Sequence, residues 1–438
     1  MSKLKKIFCI HLLCMLVAGV SAVELQTAND QYKIALKGNG YFWFGQVVRG
    51  TGIQSTGTVK NIWTQNAYAS LALDVLYKER FRVVAGIEAE TKFSWPMETQ
   101  FSETKIARPE VSILESYGKY LINGKHNQLN FTAGVFKFKY NQDVRNLGEF
   151  LFRSATYPAY VRTDFDDPSA KLLGFKTSQS FFNNSLNHHL LFTSETVFYP
   201  AMDWSLSYLI NYDILNKGFF NIGAGFSSAH LISVYDRGMI TTPRSEDTRY
   251  VKDGDTAYYT FKGNKLMGRV SLDPLAFSRE NSNLFGKNDL KLYAEALIVG
   301  LKSYPDTTFK KMYNPSYSNW KEKTILSFGV NLPTFTLLDV LNLEFEYWGS
   351  KYYNDYRQIY VIDGRPLAPG QNSELKESDW KWSLYVKKTL LDGRVAITGQ
   401  CARDHMRLFS SLYDRANHRE MLLQRGDNWW VLKISFNI

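Results

Sequence analysis

Cysteine is nearly absent from this chain. Its 438 residues hold three, and two of them, Cys9 and Cys14, fall within a leader-like start. With Cys401 alone remaining, no intramolecular disulfide can form, so an exported fold must rest on hydrogen bonding and packing. Long apolar runs are missing too. Beyond the start of the chain, no segment approaches the roughly 18 apolar residues of a membrane-crossing helix, which excludes a helical membrane bundle. A basic block is also lacking. The net charge is +10 and falls to +7 without the three lysines of residues 1–22. The excess is spread along the sequence, which argues against nucleic acid as a partner.

Catalytic signatures are equally scarce. There is no His-Glu-x-x-His motif, phosphate-binding glycine loop or Gly-x-Ser-x-Gly elbow. His188 and His189 are adjacent, so a strand sends them to opposite faces and they cannot share a metal. Asp164-Phe165-Asp166-Asp167 and Asp253-Gly254-Asp255 do not follow calcium-loop spacing and read as solvated turns. Cys401 is in phase with Val395, Ile397 and Gly399, as a small outward-facing residue rather than a nucleophile. The expectation is a protein that is not an enzyme and uses no metal or cofactor.

The start of the chain reads as a secretory signal. Lys3, Lys5 and Lys6 precede an apolar run from Ile7 to Val17 that is too short to span a bilayer. Val20-Ser21-Ala22 forms a small-residue cleavage site, which divides the chain into a leader, 1–22, and a mature domain, 23–438. Leu13 stands where a lipoprotein signal ending at Cys14 would need a small residue.

Strands fill the rest. Aromatic residues make up 15% of the chain, and apolar and polar residues alternate almost throughout. Phe81, Val83, Ala85 and Ile87 oppose Arg82, Glu88 and Glu90. Leu341, Leu343, Phe345 and Tyr347 oppose Asn342, Glu344 and Glu346. Sixteen such segments are predicted, with fourteen or eighteen as alternatives: 31–48, 61–78, 80–94, 110–122, 127–141, 171–183, 186–199, 202–214, 218–233, 257–273, 289–302, 322–332, 340–352, 379–390, 393–407 and 427–438. Their connections are mostly long and short in turn. The fold class expected is all-β: a closed antiparallel transmembrane barrel with long extracellular loops and short periplasmic turns. Within 127–141 the apolar phase switches from Leu129, Phe131, Ala133 and Val135 to Phe136, Phe138 and Tyr140, as a bulge or an aromatic girdle would cause.

The final strand places Trp430, Leu432, Ile434, Phe436 and Ile438 on one face. It resembles the C-terminal assembly signal of Gram-negative outer-membrane barrels, although the terminal residue is Ile438 and the aromatic Phe436 lies two positions earlier. That resemblance implies insertion into outer-membrane lipid by the barrel-assembly machinery. Over residues 23–438 the architecture resembles a porin, without a family-specific motif. The resemblance implies passive diffusion of small hydrophilic solutes and a homotrimer, and it points to the third outer loop, 142–170, as a constriction. That loop carries both signs of charge, in Asp143, Arg145, Glu149, Arg153, Arg162 and Asp164, and apolar Leu147, Phe150, Leu151 and Phe152 suit packing on an inner wall.

If the alternation holds, Lys37, Arg82, Lys92, Arg269, Lys291, Lys381 and Arg394 line the pore with Glu88, Glu90, Glu295, Glu344 and Glu346. These charges are expected to solvate the lumen and to pair. The rival function is a surface protein whose aromatic loops, with Tyr304, Phe309, Tyr313 and Trp320 in one and Tyr352, Tyr353 and Tyr356 in another, bind a polysaccharide or other surface ligand.

Overall fold

A computed structural model of the chain describes residues 24–26, 31–51, 58–92, 108–124, 127–153, 161–162, 169–194, 204–215, 218–232, 249–252, 255–258, 263–277, 284–299, 324–348, 380–403 and 426–437. Period-2 alternation becomes sixteen barrel strands. They are β1 (Tyr32–Thr51), β2 (Thr58–Tyr77), β3 (Phe81–Lys92), β4 (Arg108–Asn123), β5 (Gln128–Phe138), β6 (Ser169–Phe181), β7 (Leu186–Ser194) and β8 (Trp204–Ile214). The second half comprises β9 (Phe220–Ile232), β10 (Gly263–Leu272), β11 (Leu292–Val299), β12 (Thr324–Asn331), β13 (Val340–Trp348), β14 (Trp380–Leu390), β15 (Val395–Arg403) and β16 (Asn428–Asn437). A short helix, α1 (Phe150–Arg153), lies in the connection between β5 and β6.

Each strand pairs antiparallel with the next, and β16 pairs with β1 from Asn39↔Asn437 to Arg49↔Asn428, which closes the barrel. Closure pairs the first strand with the last, so neither β1 nor β16 is left as the open edge of a sheet. Short connections at 78–80, 124–127, 182–185 and 391–394 lie at the same end as both chain termini. The 273–291 connection between β10 and β11 is a longer one at this same end, and the other long connections start and finish at the opposite end.

The two faces differ as the alternation requires. Outward-facing Ile87, Val111, Phe175, Leu326 and Phe328 are exposed, while inward-facing Asn66, Asp74, Glu88, Glu344 and Lys433 are buried. In a water-soluble sandwich the exposures would be reversed. Aromatic rings collect at both rims of the outer face. Phe44, Trp63 and Trp430 meet edge to face near the long loops, and Tyr32 packs on Tyr77 beside the short turns. An apolar band between aromatic girdles is a lipid-facing surface.

The phase switch in β5 has neither of the expected causes. Register with β6 runs without a shift from Gln128↔Ser180 to Phe138↔Ala170. Leu129, Phe131, Ala133 and Val135 face outward, and Phe136 and Phe138 face inward. Both faces are apolar here because the inner one carries a packed loop, described below.

At this point the wall also loosens. β4 pairs with β5 only as far as Ser116↔Val135, while its remaining outer half pairs with β3 alone. Side chains take over where the ladder stops: Lys171 Nζ reaches the Ile113 carbonyl, and the Lys137 amide donates to Glu115 Oε1 at 3.2 Å.

Two glycines sit at the branch point. Gly134 (φ 124°) and Gly174 (φ 148°) are paired across β5 and β6, in conformations that side-chain-bearing residues avoid. A Cβ on Gly134 would also collide with the Ser116 carbonyl. Gly134→Val is therefore expected to destabilise the barrel by about 1–3 kcal/mol from backbone strain alone, with the clash adding to it. The readout is the urea midpoint of the folded barrel in detergent micelles, and an unchanged midpoint would reject the assignment.

Candidate functional site

The site begins where β5 ends. Residues 139–153 turn back over the inner face of the wall, and their apolar side chains are covered: Val144, Leu147, Phe150, Leu151 and Phe152 are all at most 1% exposed. Phe150, Leu151 and Phe152 pack on an apolar strip of inward-facing wall residues, Leu172, Leu191, Leu209, Met267, Leu297 and Ile325. The Phe152 ring meets Phe138 edge to face at 5.7 Å, and Tyr140 at 6.0 Å. Each fully buried side chain of this size contributes about 1.5–3 kcal/mol relative to exposure, so the apolar strip is the main anchor.

A loop crossing a wall offers many backbone amides that strands cannot satisfy, and wall carboxylates satisfy them instead. Glu344 of β13 accepts the amides of Arg145, Asn146 and Leu147 at 2.6, 2.7 and 2.7 Å. Glu295 of β11 accepts those of Glu149 and Phe150 at 3.1 and 2.7 Å. Two tyrosines complete the arrangement. The Tyr140 hydroxyl donates to Glu295 at 2.6 Å and accepts the Leu151 amide at 3.0 Å, while the Tyr293 hydroxyl donates to Glu344. Lys265 of β10 donates to the Leu151 carbonyl, and Lys139 to that of Val144 at 3.0 Å. Hydrogen bonds to charged groups contribute about 1.5–3 kcal/mol each, so the carboxylates fix the loop's course over a surface that apolar packing alone would leave slippery.

The loop residues singled out from the sequence have different settings. Asp143 forms an ion pair with Lys291 at 3.4 Å. Arg145 is half-buried and is held through its backbone. Glu149 is wholly buried, and its carboxylate accepts the amides of Tyr140 and Asn141. Burial, and next the neighbouring Glu295 carboxylate, push the Glu149 carboxyl well above the usual glutamate range. Arg153 closes α1, and Arg162 lies in a short strand (Val161–Arg162) paired with β6. Their side chains, and all of Asp164, lie outside the described residues.

Among the wall residues, Lys37 and Arg82 both bind Asp74. The Lys37 ammonium lies 2.7 Å from Oδ2, and the Arg82 guanidinium spans both carboxylate oxygens at 2.7 and 2.5 Å. Glu88 receives Ser112, Tyr68 and Lys171 at 2.7, 3.1 and 3.2 Å, and Glu90 receives Asn66 at 2.6 Å. Glu346 and Lys381 stand opposite each other in register on the inner face. Arg269 donates to Asn211 at 2.6 Å. Arg394 is exposed on the turn between β14 and β15, and the Lys92 side chain lies outside the described residues. So do the aromatic clusters at Tyr304–Trp320 and Tyr352–Tyr356, and the acidic run at Asp164–Asp167.

Sequence reading missed Tyr140 and Tyr293. Tyr293 stands in the polar phase of β11 between Lys291 and Glu295, and that phase was the available signal. Its partner Glu344 is 51 residues away.

The fold defines a class: a porin-like outer-membrane β-barrel with a polar inner face and a loop docked on that face. No protein-family model matches the chain, and no curated protein does. Among solved structures, it is similar to a mutant of the Rh. blastica porin, with 7% identity and a TM-score of 0.43 over 92% of this chain and 100% of that one. It is likewise similar to the outer membrane channel DcaP of Acinetobacter baumannii, with 8% identity and a TM-score of 0.47 over 94% and 99% of the two chains.

Proposed function

We propose that the chain is a passive outer-membrane channel for small hydrophilic solutes, with the 142–170 loop as its constriction. The observation that carries this reading is the loop itself: residues 139–153 are docked on the inner face of a closed barrel by wall carboxylates and an apolar strip. A barrel serving only to display outer loops gains nothing from an internal brace of this kind. A sixteen-stranded barrel is wide enough to leave an aqueous channel.

In this reading residues 1–22 direct export and are removed near Ala22. The barrel-assembly machinery inserts residues 23–438 into outer-membrane lipid, and three copies associate. Solutes pass unassisted, without catalysis or a cofactor, and selectivity follows from width and wall charge.

The test is single-channel recording of the purified barrel in planar bilayers. Discrete ion steps are expected. A stably folded barrel that yields none would overturn the channel reading in favour of a surface-binding role.

A further inference from the structure

The split between β4 and β5 lies at membrane depth. Ile113 of β4 pairs with Ile87 of β3, and Ile87 pairs with Leu71 of β2. Leu71 stands near the middle of its strand, between Trp63 and Tyr77 of the two aromatic rims. The split begins at a cluster of backbone irregularities. A bulge opposite Gly86 and Ile87 leaves Leu114 of β4 as an extra residue, and Gly134 and Gly174 take positive φ where the ladder stops. Bulges bend and twist a strand, so β4 and β5 diverge from this point. On the lipid side Val111 and Ile113 are 71% and 52% exposed, which marks the flank of β4 as uncovered.

Hydrocarbon cannot satisfy the backbone groups of a strand edge, so such an edge must meet protein or a water-filled space. Among the described residues, no strand pairs with the β5-facing edge of β4 between Arg108 and Leu114. The Ile113 carbonyl points into the split, where Lys171 of β6 reaches it, and Val111 and Pro109 share its parity. Pro109 brings no N–H to that edge and Lys171 occupies the Ile113 carbonyl, so the edge suits another strand poorly. Side chains alone bridge the opening. Lys171 also binds Glu88 at 3.2 Å, and Glu115 accepts the Lys137 amide at 3.2 Å. Widening the split therefore breaks no strand ladder. On its inner side lies a cavity of about 670 Å³, whose lining includes Lys137, Phe138, His189, Leu209 and Met267. Polar and apolar side chains alternate there, as a molecule with both characters requires.

We infer that the split is a lateral portal, through which a single-chain amphiphile passes between the lumen and the lipid around the barrel. The polar head travels along the β4 edge, where the backbone groups of Val111 and Ile113 and the Lys171 and Glu88 side chains replace its water. The alkyl chain stays outside, against the exposed Val111 and Ile113 side chains. Lys171 is the latch, because it alone joins β6 to both β3 and β4 across the opening. The portal goes beyond the diffusion-channel reading and holds whether or not ions pass, so the two fail separately.

The experiment is photolabelling of the folded barrel in phospholipid nanodiscs, read residue by residue by mass spectrometry. Two dodecylphosphocholine analogues are used, one with a diazirine beside the headgroup and one with it at the chain end. The head-borne probe is expected on Ser112 and Tyr117, inward residues of β4, and the chain-end probe on Val111 and Ile113. Val111→Trp, which hangs a ring over the opening, should lower Ser112 and Tyr117 labelling several-fold. Leu326→Trp, the same change on the lipid face of β12, should leave it unaltered. Lys171→Met should raise it several-fold. If that variant fails to fold, the two tryptophan variants decide. Head-borne label absent from Ser112 and Tyr117, or equally strong on Tyr41 inside β1, would overturn the portal, the latter by showing entry through the barrel mouth. Chain-end label missing from Val111 and Ile113 would also overturn it, since protein would then cover the edge.

Discussion

Replacing Glu344 by leucine is expected to release the loop and convert a steady single-channel current into a larger, fluctuating one. The carboxylate of Glu344 receives three consecutive backbone amides and a tyrosine hydroxyl. Leucine has similar bulk but no acceptor, so the buried donors lose their partners together. Each orphaned donor costs about 1–3 kcal/mol. Three of them make a penalty comparable to the burial of two or three of the loop's apolar side chains. The docked state then competes with a loosened one, in which water satisfies the amides.

The Glu344→Gln variant keeps one acceptor oxygen and should fall between leucine and the parent. Two measurements check this: current noise in planar bilayers, and protease cleavage within 144–152 of the folded barrel. Unchanged noise together with unchanged protection would show that the apolar strip holds the loop without the carboxylate.

Deleting residues 144–168 should produce the largest change in conductance, a several-fold increase with a swing toward cations. The deletion is sterically reasonable because Phe138 pairs with Ala170 across β5 and β6. Residues 139–143 can then join Ser169 as a hairpin loop. Removing the loop widens the lumen and strips the amides from Glu295 and Glu344. Those carboxylates become free fixed charges facing the solution, and charged side chains lining a pore set its ion preference. Reversal potentials across a salt gradient report the swing. If conductance and reversal potential both match the parent, the loop does not constrict the path.

Much of the barrel was legible from residue order. All sixteen predicted segments correspond to strands, with boundaries differing by a few residues. The opposed faces of His188 and His189 also follow from alternation: His189 lines the inner cavity, and His188 stacks on Phe181 at 5.6 Å on the other face. Alternation is a local property of a pleated backbone, so it survives reading without coordinates.

The site was legible only in its composition. Glu295 and Glu344 belonged to the polar phase of their strands, which placed them on the inner face without revealing what they hold. Nothing in residue order distinguished them from Asp74 or Glu88, which bind wall cations. The misread phase in β5 has the same origin. Phe136 and Phe138 looked like a bulge or a girdle because their partner, Phe152, arrives from the loop.

By itself the sequence determined the face on which the strand side chains stand and the position of the tight turns, because both follow from short-range periodicity, whereas it left the strand number open between fourteen and eighteen. The tertiary structure decided which inward charges are clamps and which are paired with a wall partner. Those outcomes depend on contacts such as that between Arg145 and Glu344, 199 residues apart. Barrel closure brings such residues together, and no periodicity records the distance between them.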